Sequence, residues 1–256
     1  MTPDYWTKAK TTLSRRDPVL KAIIKAYHGE ALQLRGEGFR TLARAIVGQQ
    51  ISVKAADSVW KKFEAAASSY PPACGGTKGG DGAAKAIPKS SITPTTRLRV
   101  SQAQNPSLVA SPASGRGKSG ITPENIAGMG AGTLRACGLS DRKVIYMHAL
   151  ANHFLENKKT IKNWPNMADD EIIAELTSIH GIGRWTAEMF LIFALGRPDV
   201  FPLDDLGLLK GIYRHYNKGE KLSKSEVIAI GERWRPYRSL GTWYMWRVLD
   251  PVPVEY

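Results

Sequence analysis

Apolar residues recur at three- and four-residue spacing along most of this 256-residue chain, and no convincing period-2 run interrupts them. That period aligns one face of an α-helix, so the sequence is committed to packing helix on helix. After Asp17, the residues Val19, Leu20, Ile23, Ile24 and Tyr27 form one stripe, with Pro18 suited to the first helical turn and Gly29 to the exit. Phe39, Leu42, Ala43, Ile46 and Val47 form a second. Gln49-Gln50-Ile51 then makes a polar corner before Ser52, a good cap for the helix that follows. Helical order resumes where Thr122 caps and Pro123 opens a turn, breaks at Gly138, and restarts with Ser140 or Asp141 as cap. The expected class is all-α.

Residues 66–119 differ in kind. Ser, Gly, Ala, Pro, Thr and Lys dominate without periodicity, as in a low-complexity insert too poor in apolar side chains to order itself. The expected organisation is an N-terminal extension over 1–16 and one domain over 17–256, interrupted by that insert. The net charge of +13 favours a polyanionic partner. The insert, however, carries seven basic residues against Asp81 alone, so nearly half of the excess lies outside the helical part. Two cysteines, Cys74 and Cys137, build no disulfide framework, and no window reaches the length of a membrane span. A soluble, intracellular protein is expected. His148, His153 and His180 lack metal-ligand spacing.

The chemistry concentrates between Leu176 and Lys210. Ile179-His180-Gly181-Ile182-Gly183 joins two helical runs, and glycines there let backbone amides approach a phosphate at the start of the second helix. Asp204 and Asp205 follow about twenty residues on. A phosphate grip with a carboxylate at fixed distance suits an enzyme acting on nucleic acid. Taken alone, each part has a plainer reading: a helix–helix turn, and two carboxylates capping the next helix.

HGIGRWTAEMF followed by VFPLDDLGLLK resembles the signature of the helix–hairpin–helix DNA glycosylase superfamily, and within it the alkylation-repair branch, 3-methyladenine DNA glycosylase II. RAIVGQQISVKAA, LRACGLSDRKVIY and ERWRPYRSLGTWYMWR extend the resemblance over most of residues 17–250, the insert apart. It implies two helical subdomains flanking a DNA-binding cleft, the first helix packing with the C-terminal ones. It puts Asp205 on the catalytic aspartate and leaves Asp204 to cap or brace the loop. Gln50 falls on the wedge that fills the gap left by a flipped base. Gln49, Ser52, Gly181, Ile182, Gly183, Arg184 and Thr186 fall on DNA contacts. Trp185, Trp246 and Met189 line the base pocket, Met189 standing where the family has a tyrosine; Trp243 is read as core.

Strand-cleaving relatives carry a Schiff-base lysine where this chain has Trp185, so a monofunctional enzyme is implied. No cofactor is required. An iron–sulfur cluster needs four cysteine ligands and only two cysteines exist. A monovalent cation at the hairpin would take the carbonyls of Thr177, Ile179 and Ile182. The implied partner is double-stranded DNA containing alkylated bases, met by a monomer. A non-enzymatic DNA-binding module, and a glycosylase for oxidised or deaminated bases, stand as alternatives.

Overall fold

A computed structural model describes residues 1–70 and 120–249, and among these there are helices and no strands. The helices are α1 (Trp6–Arg16), α2 (Pro18–Ala26), α3 (Gly38–Gly48), α4 (Val53–Ser69), α5 (Pro123–Gly128), α6 (Ala131–Ala136) and α7 (Asp141–Glu156). They continue with α8 (Lys158–Asn163), α9 (Asp169–Ser178), α10 (Arg184–Phe193), α11 (Leu206–Tyr216), α12 (Lys224–Arg233) and α13 (Arg238–Arg247). None is long and apolar enough to cross a membrane.

Packing sorts them into two bundles. In one, α1 and α2 lie against each other and against α13, which also takes α11 and α12. In the other, α7 is the hub for α3, α5, α6 and α8, while α10 packs on α9 and α3. The described residues thus begin and end in one bundle and build the other between. The expected caps form: Ser52 accepts from the Ala55 N–H, Thr122 from Asn125 and Ser140 from Lys143. Ser140, not Asp141, closes the start of α7.

Two boundaries differ from the sequence reading. Residues 1–16 are not a loose extension: α1 buries Trp6, Ala9 and Leu13 along one face, with Trp6 edge-on to Trp243 at 5.3 Å. That stripe is as regular as those that follow it. The low-complexity stretch begins later than residue 66, because α4 continues to Ser69 and buries Ala67 completely. Alanines without turn residues cost a helix little to extend. The rest of the insert, 71–119, lies outside the described residues.

Candidate active site

Asp205 opens α11, on the first bundle, where that bundle meets α10 of the second. Its side chain is 1% exposed and caps the helix, Oδ1 accepting the Leu208 N–H at 2.6 Å. Two indoles complete its surroundings. Trp246, from α13, donates Nε1–H to Oδ1 at 2.7 Å, and Trp185, from α10, donates to Oδ2 at 2.7 Å. A carboxylate has about four acceptor positions, so one on Oδ2 is left for a further partner. Among the described residues no basic side chain forms an ion pair with Asp205. Asp204, by contrast, points to solvent and makes no cap; the cap expected of it belongs to Asp205.

The pocket residues divide by exposure. Trp185 is half-buried, whereas Trp246 is 3% exposed, stacked on Phe193 at 5.8 Å. Trp246 therefore walls and orients more than it displays. Met189, one turn after Trp185 on α10, is buried. Trp243 lies in the core against Trp6 and Tyr244.

Sequence reasoning passed over Glu188, although one acid inside the apolar run of α10 was a visible signal. It is buried and pairs with Arg184 at 3.0 Å. Burial pushes its carboxyl above the usual carboxylate range, Arg184 opposes this, and the charges of Asp204 and Asp205 add to it. The neighbourhood of Asp205 is thus acidic.

The hairpin lies between α9 and α10. Gly181 has φ +95°, and a Cβ there would come within 2.2 Å of the Tyr146 ring, so both conformation and packing demand glycine. Gly183 differs: its backbone is extended, and an added Cβ would meet nothing within 4 Å. It faces open space at the start of α10, where the first amides lack intrahelical partners. Arg184 beside it is exposed; Thr186 is buried, so only its backbone could meet DNA. Ile182 is buried under the turn, its N–H bonded to the Ile179 carbonyl at 3.0 Å. That bond leaves one lone pair on the Ile179 oxygen, and neutral carbonyl oxygens such as those of Thr177, Ile179 and Ile182 are the ligand type a hard cation takes.

Gln50 is exposed and holds φ +59°, a left-handed conformation costing a non-glycine residue roughly 1–2 kcal/mol. Gln49 turns inward, its amide donating to the Gly181 carbonyl at 2.9 Å. Ser52 spends its hydroxyl on the α4 cap.

Comparison with known proteins places this arrangement in a family. The family model of HhH-GPD superfamily base excision DNA repair proteins matches residues 43–236. DNA-3-methyladenine glycosylase 1 of Schizosaccharomyces pombe is 29% identical over 246 residues, 94% of this chain and 86% of its own length. YfjP of Bacillus subtilis is 38% identical over 128 residues, 50% of this chain and 45% of its own length, so the match spans less than half of that relative. The solved structure of S. pombe 3-methyladenine DNA glycosylase (Mag1) in complex with abasic DNA superposes with a TM-score of 0.63 at 25% identity, covering 97% of this chain and 99% of that one. With a family match over three-quarters of its length, the chain belongs to the HhH-GPD superfamily of base excision DNA repair proteins.

Proposed function

We propose that the protein is a monofunctional DNA glycosylase that flips alkylated purines out of double-stranded DNA and hydrolyses their N-glycosidic bonds. The observation that carries this reading is Asp205, a buried carboxylate held by three donors, with one Oδ2 position open and no ion-pair partner among the described residues. Its kinship to 3-methyladenine glycosylases supports the substrate class.

A base stacked in a duplex is out of reach until extruded. The amides at Gly183–Thr186 and the Arg184 guanidinium hold the phosphate backbone, and Gln50 enters the stack. Alkylation at a ring nitrogen makes the purine cationic, so an electron-rich indole face holds it; Trp185 supplies that face, worth about 0.5–2 kcal/mol. As the C1′–N9 bond breaks, its electron pair passes to the base and neutralises the ring. Positive charge grows on the sugar beside Asp205, whose fixed negative charge stabilises it. Water adds to C1′ and loses its proton towards the open Oδ2 position or to solvent.

An indole cannot form a Schiff base, so the product is an intact strand with an abasic site. The three hairpin carbonyls would hold a monovalent cation that adds positive charge under the phosphate. Its purely backbone donor set makes that ion structural.

Mass analysis of bases freed from methylated duplex DNA tests the reading. Release of 3-methyladenine and 7-methylguanine is expected, with strand breaks only after alkali and no borohydride-trapped adduct. DNA binding without release of any base would leave a binding module instead.

A further inference from the structure

The loop that displays Gln50 is held from outside itself. Val47 lies in the last turn of α3, where carbonyls lack helical partners, and Lys143 of α7 donates Nζ–H to its oxygen at 2.7 Å. An ammonium at that end also suits the helix dipole. Lys143 is part-buried, enough for burial to pull its amine below the usual lysine range, and among the described residues no carboxylate pairs with it. An ammonium is therefore withdrawn from water for one carbonyl. One turn on, Tyr146 of the same helix packs under Gly181 and meets the His180 ring edge-on at 4.9 Å. Gln49 closes the triangle through its bond to the Gly181 carbonyl, across 132 residues of sequence.

We infer that Lys143 and Gln49 are positioning residues which, with Tyr146, lock the loop bearing Gln50 to the hairpin, so that phosphate grip and stack insertion act as one rigid unit. The inference rests on the reading that Gln50 enters the duplex. A loop in left-handed backbone keeps its shape only when its surroundings over-determine it. Here α7 braces the loop from one side and the hairpin from the other. DNA bound at the amides of α10 then meets Gln50 at a set distance, without a search that would cost insertion its effectiveness.

A duplex carrying 2-aminopurine beside a tetrahydrofuran abasic analogue reads insertion without any catalysis. Saturating wild-type protein raises the fluorescence as the neighbouring base unstacks. Lys143→Met and Gln49→Leu are expected to lose most of that rise and to lower the ratio of duplex to single-strand excision of 7-methylguanine by about 10- to 100-fold. Lys143→Arg, which keeps a donor, restores both. Because Gln49 is outside the core, its variant carries the test if Lys143→Met does not fold.

An undiminished fluorescence rise in both variants overturns the inference. So does an equal loss on duplex and single strand, the mark of a general structural defect. A drop of about one in the salt slope of binding for Lys143→Met would make that residue a phosphate contact instead. Wild-type protein that unstacks the duplex yet frees no methylated base would sink the glycosylase reading alone and leave the brace standing.

Discussion

Two buried aspartates in this molecule are built from the same parts and left in opposite states. Asp17 caps α2 as Asp205 caps α11, and each receives tryptophan indole hydrogens. Asp17 is saturated. Oδ1 takes the Val19 and Leu20 amides at 2.9 and 3.1 Å; Oδ2 takes the Tyr216 hydroxyl at 2.8 Å and Trp234 at 3.2 Å. Arg233 stands 3.9 Å away as a counter-charge. Burial and the Asp17 charge both raise the Tyr216 hydroxyl, which remains a donor. Among the described residues Asp205 has three donors, an open position, no ion-pair partner and an acidic neighbour in Glu188. A buried anion left short of partners costs the fold free energy, and a site that will meet a cationic substrate is where that cost has a use. Asp17 ties two ends of one bundle together; Asp205 stands at the seam between bundles.

The largest expected effect separates the two at once. Asp205→Asn removes the charge that faces the developing sugar cation, and single-turnover excision should fall about 10²–10⁴-fold. Its stability should stay within about 1 kcal/mol, because the amide loses one indole hydrogen bond but also escapes an unpaired buried charge. DNA binding by gel shift should persist. Asp17→Asn should behave in reverse. Its amide sets a donor against Tyr216 or Trp234, and the loss is expected at about 2–4 kcal/mol in denaturant unfolding. Excision per folded molecule should change by less than about twofold. If Asp17→Asn abolished excision while folded, the contrast between the two sites would collapse.

Much of this arrangement is legible in the sequence. Helical periodicity and caps mark α2–α7 and α9–α11, without marking α8 or separating α12 from α13, and the motif around the hairpin singles out Asp205 over Asp204. The stripe of Trp6, Ala9 and Leu13 is equally regular, but residues 1–16 lie outside the family motifs. What could not be read is the hydrogen-bond state of the carboxylate. The Trp185 and Trp246 indoles reach Asp205 from 20 and 41 residues away on two other helices, and no local pattern encodes such a meeting. The same holds for Lys143 on Val47, 96 residues apart. Tryptophans in a helical protein look alike in sequence whether they pack, stack or donate. The resemblance set Trp243 apart from Trp246 as core; that Trp246 donates to Asp205 is visible only in the geometry.

Trp185→Phe sharpens the comparison on a smaller scale. A ring face for the base is kept, while Oδ2 loses its protein donor. A hydrogen bond to a charged group is worth about 1.5–3 kcal/mol, so kcat should fall about 10-fold or somewhat more with KM changed less. Trp185→Ala should additionally raise KM, since the stacking face goes too. Equal kinetics for the two variants would show that the indole serves as a donor and not as a surface.

The smallest effect concerns the acid beside Asp205. Glu188 has its carboxyl raised above the ordinary range chiefly by burial, despite Arg184. In the window between the ordinary carboxylate value and the raised one, the folded protein holds a proton that the unfolded chain has lost. Stability from this residue is therefore greatest at low pH and declines as pH rises through the folded value. At neutral pH the ionised group is a net cost. Glu188→Gln removes it, so Tm should rise by about 2–4 °C at pH 7.5, the equivalent of ~1 kcal/mol in a domain of this size. The gain should vanish below about pH 4.5, where both side chains are neutral. The same change leaves Asp205 in a less negative field, closer to the compensated state of Asp17, and excision should slow by about threefold. A variant that is less stable than wild type at pH 7.5 would mean that the Arg184 pair outweighs burial. Glu188 would then anchor that arginine for the phosphate and leave Asp205 untouched.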